Sequence, residues 1–142
     1  MTLGDRERAF IDANPGAAMI TVGDDGVPKA ARVAVGLIDG RLWSSGTRER
    51  VRTRRLQRDP RCTLYVHEAG FGFLVLETTV TVLDGPGVVD DSVRFFRAVQ
   101  HQPDGPLRWF GGELEESEFR QTMVDEGRLL YEFEPHKVYG LY

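Results

Sequence analysis

Cysteine is nearly missing from this chain. Cys62 stands alone, which excludes an intrachain disulfide and any thiolate metal cluster built by one chain. Histidine is scarce as well: His67, His101 and His136 are scattered without an H-x-H or H-x-x-x-H spacing, so no metal site is expected. Long apolar runs are absent too. No stretch approaches the roughly 20 residues of a membrane span, and "MTLGDRERAF" lacks the apolar core of a secretion signal, so the expected location is cytoplasmic, with no membrane partner. What remains is 142 residues, 41% hydrophobic and 28% charged, enough for a single domain spanning 1–142 around one core.

Charge is distributed unevenly. The formal net charge is −4, yet "RERVRTRRLQRDPR", residues 48–61, holds seven of the sixteen arginines against Glu49 and Asp59. Residues 48–61 alone carry +5, and the rest of the chain is strongly negative. A nucleic-acid or anionic-membrane binder needs a broader basic surface, and the segment has no interleaved aromatics for base stacking. The pattern therefore predicts one compact anion site and no nucleic-acid partner.

The elements follow from turn chemistry and periodicity. "GDRERAFIDANPG" reads as a short helix that Asp5 can cap and Pro15-Gly16 ends. "AAMITVG" places Ala18, Ile20 and Val22 on one face, and across the turn "DDG" it pairs with "VPKAARVAVGLI" as a hairpin. The Asp-Gly of "IDGRL" favours a tight turn with left-handed residues, which makes "RLWSS" a third antiparallel strand. "RCTLYVHE" alternates Cys62, Leu64 and Val66 against Thr63, Tyr65 and His67, and "FGFLVLETTVTVL" is a long β-branched strand. Two helices follow. "DDSVRFFRAVQHQ" spaces Val93, Phe96 and Val99 behind acidic cap candidates, "GPLRWFGG" reads as a loop, and "ELEESEFRQTMVDEG" opens on glutamates and closes at Gly127. "RLLYEFE" is the last long strand before "PHKVYGLY". The predicted fold is mainly β: a six-stranded antiparallel barrel decorated by helices.

The arginine segment turns from loop to helix near Arg50. As a helix it has no apolar face, since Val51 and Leu56 point apart. Arginines at its start oppose the positive end of the helix dipole, and a bound anion reverses that sign. Free N–H groups, guanidinium forks and the Thr53 hydroxyl make Arg50, Arg52 and Thr53 a competent phosphate site. Arg54, Arg58 and Arg61 are assigned instead to pairing with the acidic helices.

The succession "DGVPKAARV", "RERVRTRRLQRDPRCTLYV", a long aromatic strand and "FRQTMVDEGRLLYEFEPHKVYGLY" resembles the flavin/deazaflavin oxidoreductases of actinobacteria. These are relatives of pyridoxamine 5'-phosphate oxidase with the FMN-binding split-barrel fold. The likeness runs from about Ile11 to Tyr142 and implies a homodimer with FMN or the deazaflavin coenzyme F420 at the subunit interface. It carries the phosphate-contacting positions onto Arg50, Arg52 and Thr53, with Arg55 as a further cofactor-binding residue, and cofactor-groove positions onto Ser45, Lys29 and Arg32. Phe71 and Phe73 match the part that a second subunit lays against the cofactor. Two departures stand out: Arg52 replaces a frequent lysine and Arg55 a frequent asparagine. The added charge favours the deazaflavin, with its oligoglutamate tail, over FMN. The chain stops at "VYGLY" without the Arg-and-His substrate motif of vitamin B6 oxidases.

A deazaflavin reductase implies hydride transfer to an activated C=C or C=N bond of a small molecule, with no catalytic triad; the alternatives are an FMN-binding oxidoreductase of the same fold and a non-catalytic cofactor- or tetrapyrrole-binding protein. Trp109 and Phe110 then form either a substrate lid or loop packing. Lys137 and Tyr139 are candidates for proton donation, set against a structural role. Cys62, between strand neighbours that share its face, reads as a buried small residue.

Overall fold

The computed structural model describes all residues, 1–142. Helix α1 (Asp5–Ala13) opens the chain. Its N-cap is Gly4 rather than the expected Asp5, which lies in the first turn and pairs with Arg8 at 2.7 Å. Strands β1 (Gly16–Val22) and β2 (Pro28–Ala34) form the expected hairpin, with Ala18 opposite Arg32. The apolar run that continues from β2 was expected as one strand, but it divides at Val35. Residues 36–38 become a separate strand, β3, which pairs with β4 (Arg41–Thr47) across a turn where Asp39 and Gly40 both take positive φ, 53° and 77°.

That division shapes the whole molecule. With β5 (Arg61–His67), β6 (Phe73–Leu83) and β9 (Arg128–Leu141), the large antiparallel sheet runs β2-β1-β5-β6-β9-β4-β3. Strands β2 and β3 are consecutive in the chain but lie at opposite edges of the sheet. The sheet must therefore curl until its edges meet at Val35, which is completely buried. Ser44 Oγ of β4 donates to Ala34 O of β2 at 2.7 Å across this seam. The fold is a split β-barrel of seven strands rather than six, and the seventh comes from the broken run.

Alternation sets the inside of the barrel. Met19, Leu64, Leu74 and Leu76 face inward and are almost wholly buried; burying each such side chain contributes roughly 1.5–3 kcal/mol. The inward residues of β1 are Ala17, Met19 and Thr21, while Ala18, Ile20 and Val22 share the outward face. Strand register aligns Arg32, Ala18, Tyr65, Val75 and Tyr139 in one row on that outward face, and Ala30, Ile20, Thr63, Glu77 and Lys137 in the next.

Helix α3 (Val88–Val99) packs against β3, β4 and β9. Gly87 is its N-cap; Asp90 and Asp91 sit in the first turn, where they suit the dipole without capping. The expected loop "GPLRWFGG" is a small hairpin of β7 (Leu107–Trp109) and β8 (Gly112–Leu114), turning at Phe110 and Gly111 with φ of 46° and 81°. Helix α4 (Glu116–Asp125) follows and stops at Gly127, φ 62°. Val93, Leu107, Phe119 and Met123 form a small core of their own beneath the hairpin, separate from the main cluster. No helix is long and apolar enough to cross a membrane.

Candidate functional site

The arginine segment folds as helix α2 (Val51–Arg58) with Arg50 as its extended N-cap. Leu56 is buried and anchors one side. The seven arginines divide sharply by what they face. Arg48 pairs with Asp84 at 2.7 Å, Arg54 with Glu49 at 3.1 Å, Arg58 with Asp24 at 2.6 Å and Arg61 with Asp59 at 2.7 Å. These partners lie in turns and neighbouring loops, not on the acidic helices to which Arg54, Arg58 and Arg61 were assigned. Arg50, Arg52 and Arg55 have no carboxylate partner; Arg55 reaches only the Thr21 hydroxyl, at 3.4 Å.

Two of the three open onto one groove. Arg50 and Arg52 line it from the start of α2, Ser44 and Ser45 from β4, and Arg32 from the edge strand β2. The remaining wall is aromatic, with Phe95 and Phe96 of α3 and the hairpin residues Trp109 and Phe110, and Arg128 closes the far end. The groove offers about 230 Å³ and has four arginines but no carboxylate among its lining residues. Arg128 alone is neutralised, by Glu126 at 2.9 Å, with its guanidinium 4.9 Å from the centre of the Trp109 ring. Trp109 Nε1 donates to the same Glu126 at 3.2 Å, which fixes the hairpin beside the arginines.

The electrostatics call for an anion. Burial, reinforced by the positive charges of Arg50 and Arg128, holds the Arg52 guanidinium below its ordinary pKa. Its Nε is buried without a hydrogen-bond partner, and so is Ser45 Oγ. Unpaired buried polar atoms are uncommon and costly, and here two of the three in the molecule belong to residues of one groove. An anionic oxygen supplies what both donors lack, so the residues fit a phosphate-bearing cofactor.

The sequence profile of the pyridoxamine 5'-phosphate oxidase family matches residues 3–142. The chain belongs to that family. The split barrel of this pyridoxamine 5'-phosphate oxidase family member resembles several solved structures at low identity, which speaks to the fold. The conserved hypothetical protein Rv2991 from Mycobacterium tuberculosis is 18% identical with a TM-score of 0.75, covering 99% of this chain and 86% of that one. A protein described as an F420 reductase is 13% identical with a TM-score of 0.72, covering 96% and 98%. HutZ, the heme storage protein from Vibrio cholerae, is 11% identical with a TM-score of 0.68, covering 99% and 96%. No curated protein matches the sequence.

Within this family frame, the expected cofactor residues separate, and Arg55, beside Thr21, lies outside the groove lining. Arg32, Ser45, Arg50 and Arg52 meet in the groove with Trp109 and Phe110. Thr53 does not face it: the side chain is completely buried, its hydroxyl donates to Thr47 O at 2.7 Å, and it bonds to the Tyr131 hydroxyl at 2.5 Å. Those two hydroxyl bonds hold the Thr53 side chain in the interior, while Arg50 leaves the helix on the extended backbone of the N-cap. Lys29 is tied to Asp25 of the β1–β2 turn at 3.1 Å and lies outside the groove lining. Phe71, Phe73, Lys137 and Tyr139 are not among the residues that line this groove. Phe71 is 93% exposed in the loop between β5 and β6, and Phe73 stacks on Tyr65 at 5.5 Å. The Lys137 ammonium sits 5.7 Å from the Tyr139 ring on the outward face of β9. Phe96 and Arg128 are groove residues that the sequence did not single out. A lone arginine opening the apolar strand "RLLY" was the available signal for Arg128.

Proposed function

We propose that this protein is a deazaflavin-dependent reductase that binds coenzyme F420 and reduces an activated C=C or C=N bond of a small organic molecule. The observation that carries the reading is the convergence of Arg32, Arg50 and Arg52, none with a carboxylate partner, on a groove that also holds the unpartnered Ser45 hydroxyl. Arg52 and Ser45 hold the phosphate group, with Arg50 at its open side. Arg32 and Arg50 extend positive charge beyond what one phosphate neutralises, which suits the additional carboxylates of a glutamate-bearing deazaflavin. When bound, the reduced cofactor supplies a hydride to an electrophilic carbon. The chain's own residues orient the reactants and exclude water, with Trp109 and Phe110 as the cover over the groove. FMN is the alternative cofactor, because the Arg52–Ser45 seat accepts any phosphate monoester. A tetrapyrrole is a poorer fit: no histidine, cysteine, methionine or tyrosine lines the groove.

The working unit in this reading is a homodimer. A groove of about 230 Å³ is smaller than the roughly 300–1,000 Å³ of a typical small-molecule site, so one protomer supplies only part of the enclosure. The outward sheet face, with Ile20 and Tyr65 only partly covered and Tyr139 and Leu141 largely exposed, is the surface for the second copy. Tyr139 and Arg32 occupy one row but stand four strands apart, about 19 Å at the usual strand spacing. Phe71, Lys137 and Tyr139 therefore serve the groove of the partner rather than their own.

Fluorescence titration of the purified, cofactor-free protein with oxidised coenzyme F420 and with FMN, at one salt concentration, tests the proposal. Tight saturable binding of the deazaflavin and weak binding of FMN is the expected result. The reverse order makes the protein an FMN enzyme, and binding of neither removes the cofactor reading.

A further inference from the structure

We propose that Tyr131 is a positioning residue for the arginine groove: its buried hydroxyl, bonded to Thr53, locks the first turn of α2 in the orientation that turns Arg50 and Arg52 outward. The inference rests on reading the groove as the anion site, and it explains how that site is held in place.

Helix α2 has little local reason to form where it does. It is eight residues long, well below the length at which isolated helices are stable. Its N-cap is an arginine that makes no side-chain capping bond, and its first turn holds no acidic residue. Arg50, Arg52 and Arg54 set positive charge against the positive end of the dipole. Something outside the helix must hold this turn, and two hydrogen bonds from outside converge on Thr53 beside the turn's own backbone bond. Thr53 N–H donates to Arg50 O at 3.1 Å, Thr53 Oγ1 donates to Thr47 O at 2.7 Å, and the Tyr131 hydroxyl completes the set at 2.5 Å.

Tyr131 reaches Thr53 from β9, the strand beside β4. It is completely buried on β9 and crosses β4 where residue 46 is a glycine; a side chain there would overlap the phenol ring. The ring also lies beneath Arg52, whose guanidinium carbon is 5.8 Å from the ring centre. One phenol thus pins the turn through its oxygen and backs the groove arginine through its face. Phenylalanine would fill the same space without a buried polar atom to satisfy. The hydroxyl is accommodated at a desolvation cost, and Thr53 is the partner that offsets it.

The experiment uses full-length protein with Tyr131→Phe, and Thr53→Val with Thr53→Ser as a second pair that removes and restores the bond from the other end. Amide hydrogen exchange is followed at Thr53 and Arg54, and coenzyme F420 and FMN are titrated into each variant and into the same variants carrying Arg52→Ala. Tyr131→Phe and Thr53→Val are expected to speed exchange at these two amides and weaken cofactor binding about fivefold, the worth of one neutral hydrogen bond. Thr53→Ser should restore both properties, and the loss should shrink in the Arg52→Ala background, because contacts acting through one residue are not additive. Wild-type exchange rates in both Tyr131→Phe and Thr53→Val, or a loss that adds fully to that of Arg52→Ala, overturn the inference. Failure of the wild-type protein to bind either cofactor overturns the function proposed above, while the exchange rates still decide whether Tyr131 locks the turn.

Discussion

Arg52 and Arg58 stand six residues apart on one short helix, yet they live in different chemistry. Arg58 reaches Asp24 at 2.6 Å in solvent and is a structural ion pair of modest worth. Arg52 is half-buried over Tyr131, lacks a carboxylate, and keeps its Nε unpartnered. The same division runs through the whole segment, with Arg48, Arg54, Arg58 and Arg61 paired and Arg50, Arg52 and Arg55 left without acids. Arginine density by itself therefore does not mark a site. The convergence of acid-free arginines on one groove marks it, and the partly buried one, Arg52, carries a cost that a bound anion removes.

The sharpest way to break this comparison is to delete both groove arginines. Arg50→Ala with Arg52→Ala should weaken cofactor binding about tenfold or more, since each charge-assisted hydrogen bond contributes roughly 1.5–3 kcal/mol, while the circular dichroism spectrum stays that of the wild type. Arg52→Lys should give a smaller loss, about three- to tenfold by titration, because the charge survives but the fork that reaches a phosphate in two directions does not. Arg54→Ala with Arg58→Ala should change affinity less than about twofold and stability by no more than about 1 kcal/mol per pair, measured by urea unfolding. A loss there equal to that at Arg50 and Arg52 would erase the distinction between the two sets.

The smallest effect lies outside both sets. Burial pushes the Cys62 thiol up to about 12 from an ordinary 9.0. The folded state thus favours the protonated form, so its contribution to stability is complete below pH 9 and is lost as pH rises from 9 toward 12. A thiol reagent at pH 8 should leave native Cys62 unmodified, with or without cofactor, and label it only on unfolding.

Local chemistry made much of the fold legible. The Asp-Gly of the third turn, the strict alternation from Cys62 to Val66 and the arginine helix after Arg50 are all properties of neighbouring residues. The break at Val35 was not legible, because the run is apolar on both sides and only closure of the barrel divides it. The Trp109 hairpin was hidden for a different reason: its strands have three residues each, and its turn places a phenylalanine as well as a glycine at positive φ. At the site, the sequence pointed to Arg50 and Arg52 through the dipole argument. It misdirected Thr53, whose orientation depends on a hydroxyl 78 positions away. It also could not sort all the paired arginines from the unpaired ones, since Asp84 and Asp24 lie 36 and 34 positions from theirs.

A crystal structure of the protein with coenzyme F420 bound is the most direct test of the central claim. The account predicts the cofactor phosphate within hydrogen-bond distance of Arg52 Nε and the Ser45 hydroxyl, with Arg54 and Arg58 still on Glu49 and Asp24. A phosphate seated on Arg54 or Arg58, with Arg52 and Ser45 left unpartnered, would contradict it.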